Sequence, residues 1–114
     1  PITIYGSLDN VRDYLHLDDM CRAFERCLSF HDSGETFNIG AGVGHSVDEI
    51  LTKIESTTGQ QFQREYIDNE VVSRLANWNV LNIAKAEVML GWSPTISIDA
   101  GLKSMCESVG ATAL

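Results

Sequence analysis

The chain has 114 residues, room for one ordinary domain with a single core. Eight Lys and Arg against sixteen Asp and Glu leave a formal charge of -8, which argues against the broad phosphate-neutralising surface of a nucleic-acid binder while leaving room for one or two arginines that hold a small anion. Hydrophobic residues at 44% and charged residues at 21% describe a folded domain, and no apolar run approaches the roughly 20 residues of a membrane span.

Residues 2–5 alternate, with Ile2 and Ile4 on one face and Thr3 and Tyr5 on the other, which predicts a short strand buried on one side. Residues 6–10 read as a turn. Residues 11–17 read as extended, with Val11, Asp13, Leu15 and Leu17 alternating against Arg12, Tyr14 and His16. Asp18 and Asp19 offer an N-cap and an acidic first turn. Met20, Ala23, Phe24, Cys27 and Leu28 then fall at helical spacing, so an amphipathic helix is expected over residues 19–30. Asp32, Ser33 and Gly34 stop it, and residues 36–39 read as a second strand that runs into the glycine-rich stretch 40–44.

Ser46 with Glu49 three residues on is a capping box, and Val47, Ile50, Leu51 and Ile54 follow at helical spacing until Gly59 ends the helix. Residues 62–67 alternate as a third strand, and residues 68–81 carry no clean period. Asn82 is placed to cap a short helix through Leu90, broken by Gly91-Trp92-Ser93-Pro94. A last helix is expected from Ile98 to about Val109, with Leu102, Met105, Cys106 and Val109 in register. Strands and helices alternate without an internal repeat, which is the pattern of a small α/β unit. The three cysteines, Cys21, Cys27 and Cys106, form no C-x-x-C pair and lie on apolar helix faces, so they read as core rather than as a disulfide or zinc framework, in a reducing, cytoplasmic setting. The chain opens on Pro1 with neither Met nor a signal sequence, as expected of a fragment of a longer protein.

Four features could carry chemistry. A strand entering residues 40–44 and opening a helix at Ser46 is the arrangement of a phosphate-cradling turn, although G-x-G-x-G is neither a dinucleotide fingerprint nor a P-loop; the alternative is a tight turn that brings backbone close to a neighbour. Arg12, the first basic residue of the chain, can hold a phosphate or carboxylate bidentately, or pair with Asp9 or Asp13. His16, in His-Leu-Asp-Asp, invites a dyad or metal reading against that of a structural histidine beside the first helix, and nothing brings it together with His31 or His45. Trp92 is either a stacking platform or an aromatic that packs back on the helix before it, and Ser46 is explained by its capping box without a nucleophile elbow.

Taken in order, these segments resemble the extended short-chain dehydrogenase/reductase family, the NAD-dependent nucleotide-sugar epimerases and dehydratases. Ile4-Tyr5-Gly6 followed by Arg12-Asp13-Tyr14-Leu15-His16-Leu17-Asp18-Asp19 is similar to the family signature Arg-Asp-Tyr/Phe-x-His-Val-x-Asp. Phe37-Asn38-Ile39-Gly40-Ala41-Gly42 with Ser46-Val47 resembles a stretch of UDP-glucose 4-epimerases, and Lys85-Ala86, Leu90-Gly91-Trp92-Ser93-Pro94 and Gly101-Leu102 resemble the family's closing segment. The family's Tyr-x-x-x-Lys pair and glycine fingerprint are absent from these 114 residues.

The resemblance therefore implies that residues 1–114 are a single C-terminal substrate-binding lobe, with short strands and about four helices and without the Rossmann domain. It implies that the longer enzyme uses NAD or NADP, is a homodimer, and acts as a UDP-glucose 4-epimerase-like enzyme. A 4,6-dehydratase or reductase is the alternative, because the turn Gly6-Ser7-Leu8-Asp9-Asn10 is closer to that of GDP-mannose 4,6-dehydratases. A non-catalytic nucleotide-sugar-binding module is a third possibility. The lobe alone is expected to bind no cofactor or metal, to contain no catalytic residue, and to be inactive. Its partners would be a nucleotide-sugar and its own N-terminal domain. By the same resemblance Arg12 contacts the diphosphate, Thr3, Ile4 and Tyr5 line the base pocket, Tyr14 and Val43 flank the nucleoside, and Arg74 is the nearest substitute for a second phosphate-binding arginine whose usual place is held by Val72. Asp18 and Asp19 match the start of the family helix as capping residues.

Overall fold

The computed structural model describes residues 1–67, 71 and 77–111. Among them the elements in chain order are strands β1 (Ile2–Tyr5) and β2 (Val11–Asp13), helix α1 (Leu17–Leu28), strand β3 (Gly44–Ser46), helix α2 (Val47–Thr58), strands β4 (Arg64–Ile67) and β5 (Trp78–Asn79), and helices α3 (Ala84–Leu90) and α4 (Ile98–Ser108). This is the small α/β unit with four helices and short strands that the alternation predicts.

The strands form two separate sheets. β1 and β4 pair in parallel, from Ile2 opposite Arg64 to Tyr5 opposite Ile67. β2 is the centre of the second sheet, antiparallel to β3 and parallel to β5. The turn between β1 and β2 sits on the N-terminal end of α2, where the carbonyls of Leu8 and Asn10 accept the amides of Asp48 and Val47. That contact satisfies two helix-end amides and joins the two sheets mechanically.

Local chemistry explains most of the boundaries. In β1 the expected alternation holds: Ile4 is buried while Thr3 and Tyr5 face outward. α2 starts at the predicted capping box, with Glu49 N–H donating to Ser46 Oγ at 3.1 Å and Ser46 N–H to Glu49 Oε2 at 2.8 Å. Gly59 ends it in the left-handed region at φ 68, which a β-carbon would strain. Asn82 Oδ1 accepts from Ala84 N–H at 3.0 Å at the start of α3, and Ser97 Oγ caps α4 through Ala100 N–H at 3.2 Å.

Five expectations are corrected. α1 begins at Leu17 rather than Asp19, because His16 takes the cap: its Nδ1 accepts from Asp18 N–H at 3.1 Å. Asp19, expected as a capping residue, is fully buried inside the fold. Residues 36–39 form no strand, since neither sheet offers them a ladder partner; Phe37 and Ile39 pack side chains on the core instead. Gly44 to Ser46, read as loop running into helix, is β3. Finally, Cys106 is buried as expected, but Cys21 and Cys27 are exposed, as are Phe24 and Leu28 on the same helix. α1 turns Asp19 and the small Ala23 inward, and its larger apolar side chains point away from the described core.

That core is compact in composition. Ala23 of α1, Ala86 and Leu90 of α3 and Trp92 form its centre, with Leu15, Phe30, Phe37 and Ile39 packed around them. Phe30 and Phe37 meet edge to face at 5.3 Å. Trp92 follows Gly91, which turns the chain back at φ 59, and its Nε1–H donates to the Asp19 carbonyl at 3.0 Å. The packing alternative for Trp92 is the one observed. α2 packs against α4.

The molecule is a plate of 50 × 39 × 16 Å. Its radius of gyration is 16.8 Å, where a compact domain of this length has about 13 Å. Its accessible surface is 7822 Å², where a compact monomer of 12.6 kDa shows about 6,200 Å².

Candidate functional site

The three-stranded sheet separates two chemistries onto its two faces. Asp13, Val11 and Gly44 share one face, and Arg12 the other, because neighbouring residues of a strand point oppositely. On the first face the Asp13 carboxylate is a structural hub. It accepts the amides of Ala41 at 2.6 Å, Gly42 at 2.9 Å and Leu81 at 3.2 Å, so it ties the glycine stretch to the segment after β5. The backbone comes close here for a reason that needs glycine: a β-carbon at Gly44 would stand 2.5 Å from Val11 Cγ1 and 2.6 Å from Val80 Cγ2.

This decides between the two readings of residues 40–44. Amides that would cradle a phosphate already donate to a carboxylate, and a dinucleotide pyrophosphate brought to the same place would meet that negative charge. The loop therefore does not fit the phosphates of the NAD implied by the resemblance; it is a tight turn closed by Asp13.

On the second face, Arg12 stands opposite His45 of β3 and beside Asn79 of β5. Tyr14 follows the last residue of β2 and Val43 precedes the first of β3, both just outside the paired residues. Of the residues singled out from the sequence, register fixes Arg12 on this face. His45 and Asn79 were not singled out for this face. The alternation of Val43 with His45 was visible in the chain, but no sequence signal specifies which residue of β2 or β5 stands beside them.

Arg12 is half-buried and donates Nη1–H to the Val11 carbonyl at 2.8 Å. Neither Asp9 nor Asp13 pairs with it, and no carboxylate lies within ion-pair distance of it among the described residues. The other half-buried cations among the described residues are engaged: Arg22 with Asp19, Lys53 with Asp99, and Arg64 with both Asp48 and Glu55. Tyr14 is partly exposed and Val43 exposed.

Thr3, Ile4 and Tyr5 belong to the other sheet, reached through the five-residue turn on the end of α2. The Ile4 side chain is interior, so only its backbone can touch a ligand. Among the described residues the outer edge of β1 has no strand partner. Arg74 lies outside the described residues. A hollow of about 540 Å³ opens between the start of α1 and α4, lined by Tyr14, His16, Leu17, Gly101 and Met105 among others, but by neither Arg12 nor Tyr5. His16 is there as the α1 cap, and among the described residues no group of three His, Cys, Asp or Glu is placed to hold a metal ion.

Comparison with known proteins shows the family. The family model described as GDP-mannose 4,6 dehydratase matches residues 1–105. The chain belongs to that family, one of the NAD-dependent nucleotide-sugar epimerases and dehydratases. It is 30% identical to a dTDP-4-dehydro-6-deoxyglucose reductase of Escherichia coli, over 96% of this chain and 34% of that protein. A crystal structure of UDP-glucose 4-epimerase with UDP-glucose from Thermotoga maritima superposes with a TM-score of 0.86 at 31% identity, over 96% of this chain and 34% of that one. UDP-glucuronic acid 4-epimerase of Bacillus cereus, in complex with UDP-glucuronic acid and NAD, gives a TM-score of 0.86 at 27% identity, over 96% and 35%. The chain spans about a third of the length of the relatives it matches. Among the described residues no helix is long and apolar enough to cross a membrane.

Proposed function

We propose that residues 1–114 are one substrate-binding unit, the C-terminal part of a longer NAD-dependent nucleotide-sugar epimerase, and that Arg12 holds the diphosphate of the sugar nucleotide. The observation that carries this reading is the half-buried Arg12 guanidinium without a carboxylate partner among the described residues, in a chain where acids outnumber bases two to one. One of its five donors is used internally, which leaves a planar, permanently charged group for two phosphates.

Tyr14 and Val43 flank the nucleoside. Thr3, Ile4 and Tyr5 supply the base pocket: the open edge of β1 offers backbone donors and acceptors, and the exposed Tyr5 ring offers a stacking surface. Arg74 is a second phosphate contact. The redox chemistry and its cofactor lie outside these residues, so the unit binds and orients substrate and is inactive alone. The superposition on a UDP-glucose-bound epimerase supports the substrate class.

A second reading keeps the substrate class and changes the reaction to 4,6-dehydration or reduction. The family description, the Leu8-Asp9 turn and the similarity to a reductase favour it. Incubating the full-length enzyme and NAD with UDP-, GDP- and dTDP-sugars separates the two, since an epimerase gives an isomer of unchanged mass and a dehydratase a keto-sugar lighter by one water.

Arg12→Ala in the full-length enzyme is expected to weaken nucleotide-sugar binding by about 2 kcal/mol, roughly thirtyfold, the scale of a hydrogen bond to a charged group. Titration calorimetry reads this directly. Unchanged affinity refutes the role of Arg12.

A further inference from the structure

Arg12 has a titratable neighbour. In the antiparallel pairing of β2 with β3, Arg12 stands directly opposite His45, and opposed side chains on one face have Cβ atoms about 4.5–5.5 Å apart. The imidazole is already oriented. Its Nδ1 lies 3.5 Å from Glu49 Oε2, and Glu49 is itself fixed by the capping box with Ser46. With Nδ1 turned to that carboxylate, Nε2 is left to donate elsewhere once the ring is protonated. The ring is neither sealed nor free, with 21% of its side chain exposed.

The charged groups around His45 are few. Among the described residues Glu49 of α2, Arg12 of β2 and the N-terminal end of α2 face it. Asp13 is on the opposite face, and Asp48 of α2 is drawn to Arg64 at 2.9 Å. An anion bound to Arg12 would sit beside the imidazole and, once the ring is protonated, take a charge-assisted hydrogen bond from Nε2–H.

We infer that His45 is a second, protonatable contact for the diphosphate beside Arg12, so that nucleotide-sugar binding takes up a proton. This rests on the nucleotide-sugar reading of the Arg12 face. The ligand makes a clean probe, because the diphosphate of a nucleotide-sugar is a diester whose charge does not change between pH 5.5 and 8. Any pH dependence of its binding across that range comes from the protein.

The test is titration calorimetry of UDP-glucose, GDP-mannose and dTDP-glucose into the full-length enzyme from pH 5.5 to 8, in two buffers of different ionisation enthalpy. Affinity is expected to rise about tenfold from pH 8 to 5.5, with net proton uptake in the middle of the range. His45→Asn and His45→Gln should bind with an affinity independent of pH, near the wild-type value at pH 8. A pH slope that survives in both variants assigns the proton to another group and overturns the role of His45 while leaving that of Arg12 intact. A wild-type affinity that does not vary with pH overturns it as well. If none of the three sugars binds at any pH, the nucleotide-sugar reading falls and His45 falls with it.

Discussion

Replacing Asp19 by alanine is expected to destabilise the protein by about 3–5 kcal/mol, the cost of breaking a buried, paired charge. Asp19 is fully buried, and its two oxygens gather groups from distant parts of the chain. They accept Thr95 N–H at 3.1 Å, Ile96 N–H at 3.0 Å and the Thr95 hydroxyl at 3.1 Å, while Arg22 pairs with one of them from the next turn of α1. Arg22 also donates to the Ser93 carbonyl at 2.9 Å, and the Asp19 carbonyl holds Trp92. One residue therefore fixes the segment between α3 and α4 against α1. Its removal leaves two amides and a guanidinium without their acceptor, and urea unfolding followed by circular dichroism measures the loss.

The same site sets an acid limit. Burial alone would raise the Asp19 pKa, but the Arg22 guanidinium and the hydrogen bonds from Ile96 and Thr95 overcome it and hold the carboxyl at about 2, below its ordinary 3.8. A folded-state pKa below the unfolded one means stability that is complete above pH 4 and is lost as pH falls towards 2. Asp19→Ala should therefore lose much of the pH dependence of unfolding between 4 and 2. An acid titration that keeps the wild-type slope would refute this assignment.

Asp13→Ala is expected to cost about 2–4 kcal/mol, because three amides lose a charged acceptor at once. The damage should also reach the Arg12 face without any ligand contact being removed. Asp13 latches residues 41 and 42 just before β3, and β3 carries His45 into place. Amide exchange should accelerate at Ala41, Gly42 and Leu81 first, and nucleotide-sugar affinity should fall although Arg12 is untouched. Unchanged protection of those three amides would show that Asp13 is not the latch.

What could be read from the chain and what could not divide along sequence distance. The Ser46–Glu49 capping box, the Gly59 stop, the outward Thr3 and Tyr5 and the inward Trp92 are local matters of spacing and backbone freedom, and they stand as expected. Asp13 and Asp19 elude the sequence because, Arg22 apart, their partners lie 28 to 77 residues away and are mostly backbone amides, which leave no trace in residue identity. Asp19 looked like a cap since an acid after an extended segment usually is one. Residues 36–39 have strand composition, but a strand exists only where another lies beside it. The candidate site shows the same division. Arg12, Tyr14 and Val43 are recognisable one by one through resemblance to a family, whereas the placement of Arg12 on one face with His45 and Asn79 depends on pairing between β2, β3 and β5. Cys21 and Cys27 misled because an apolar stripe marks a face that can be covered without saying what covers it.

A body only 16 Å thick has a thermodynamic consequence. So much of its area already meets solvent that melting uncovers comparatively little fresh hydrocarbon, and that increment governs both the heat-capacity step and the urea slope. Calorimetry of this stretch by itself should give a shallow, gently curved free-energy profile for its mass. A docked companion lying flat against it would steepen both quantities together.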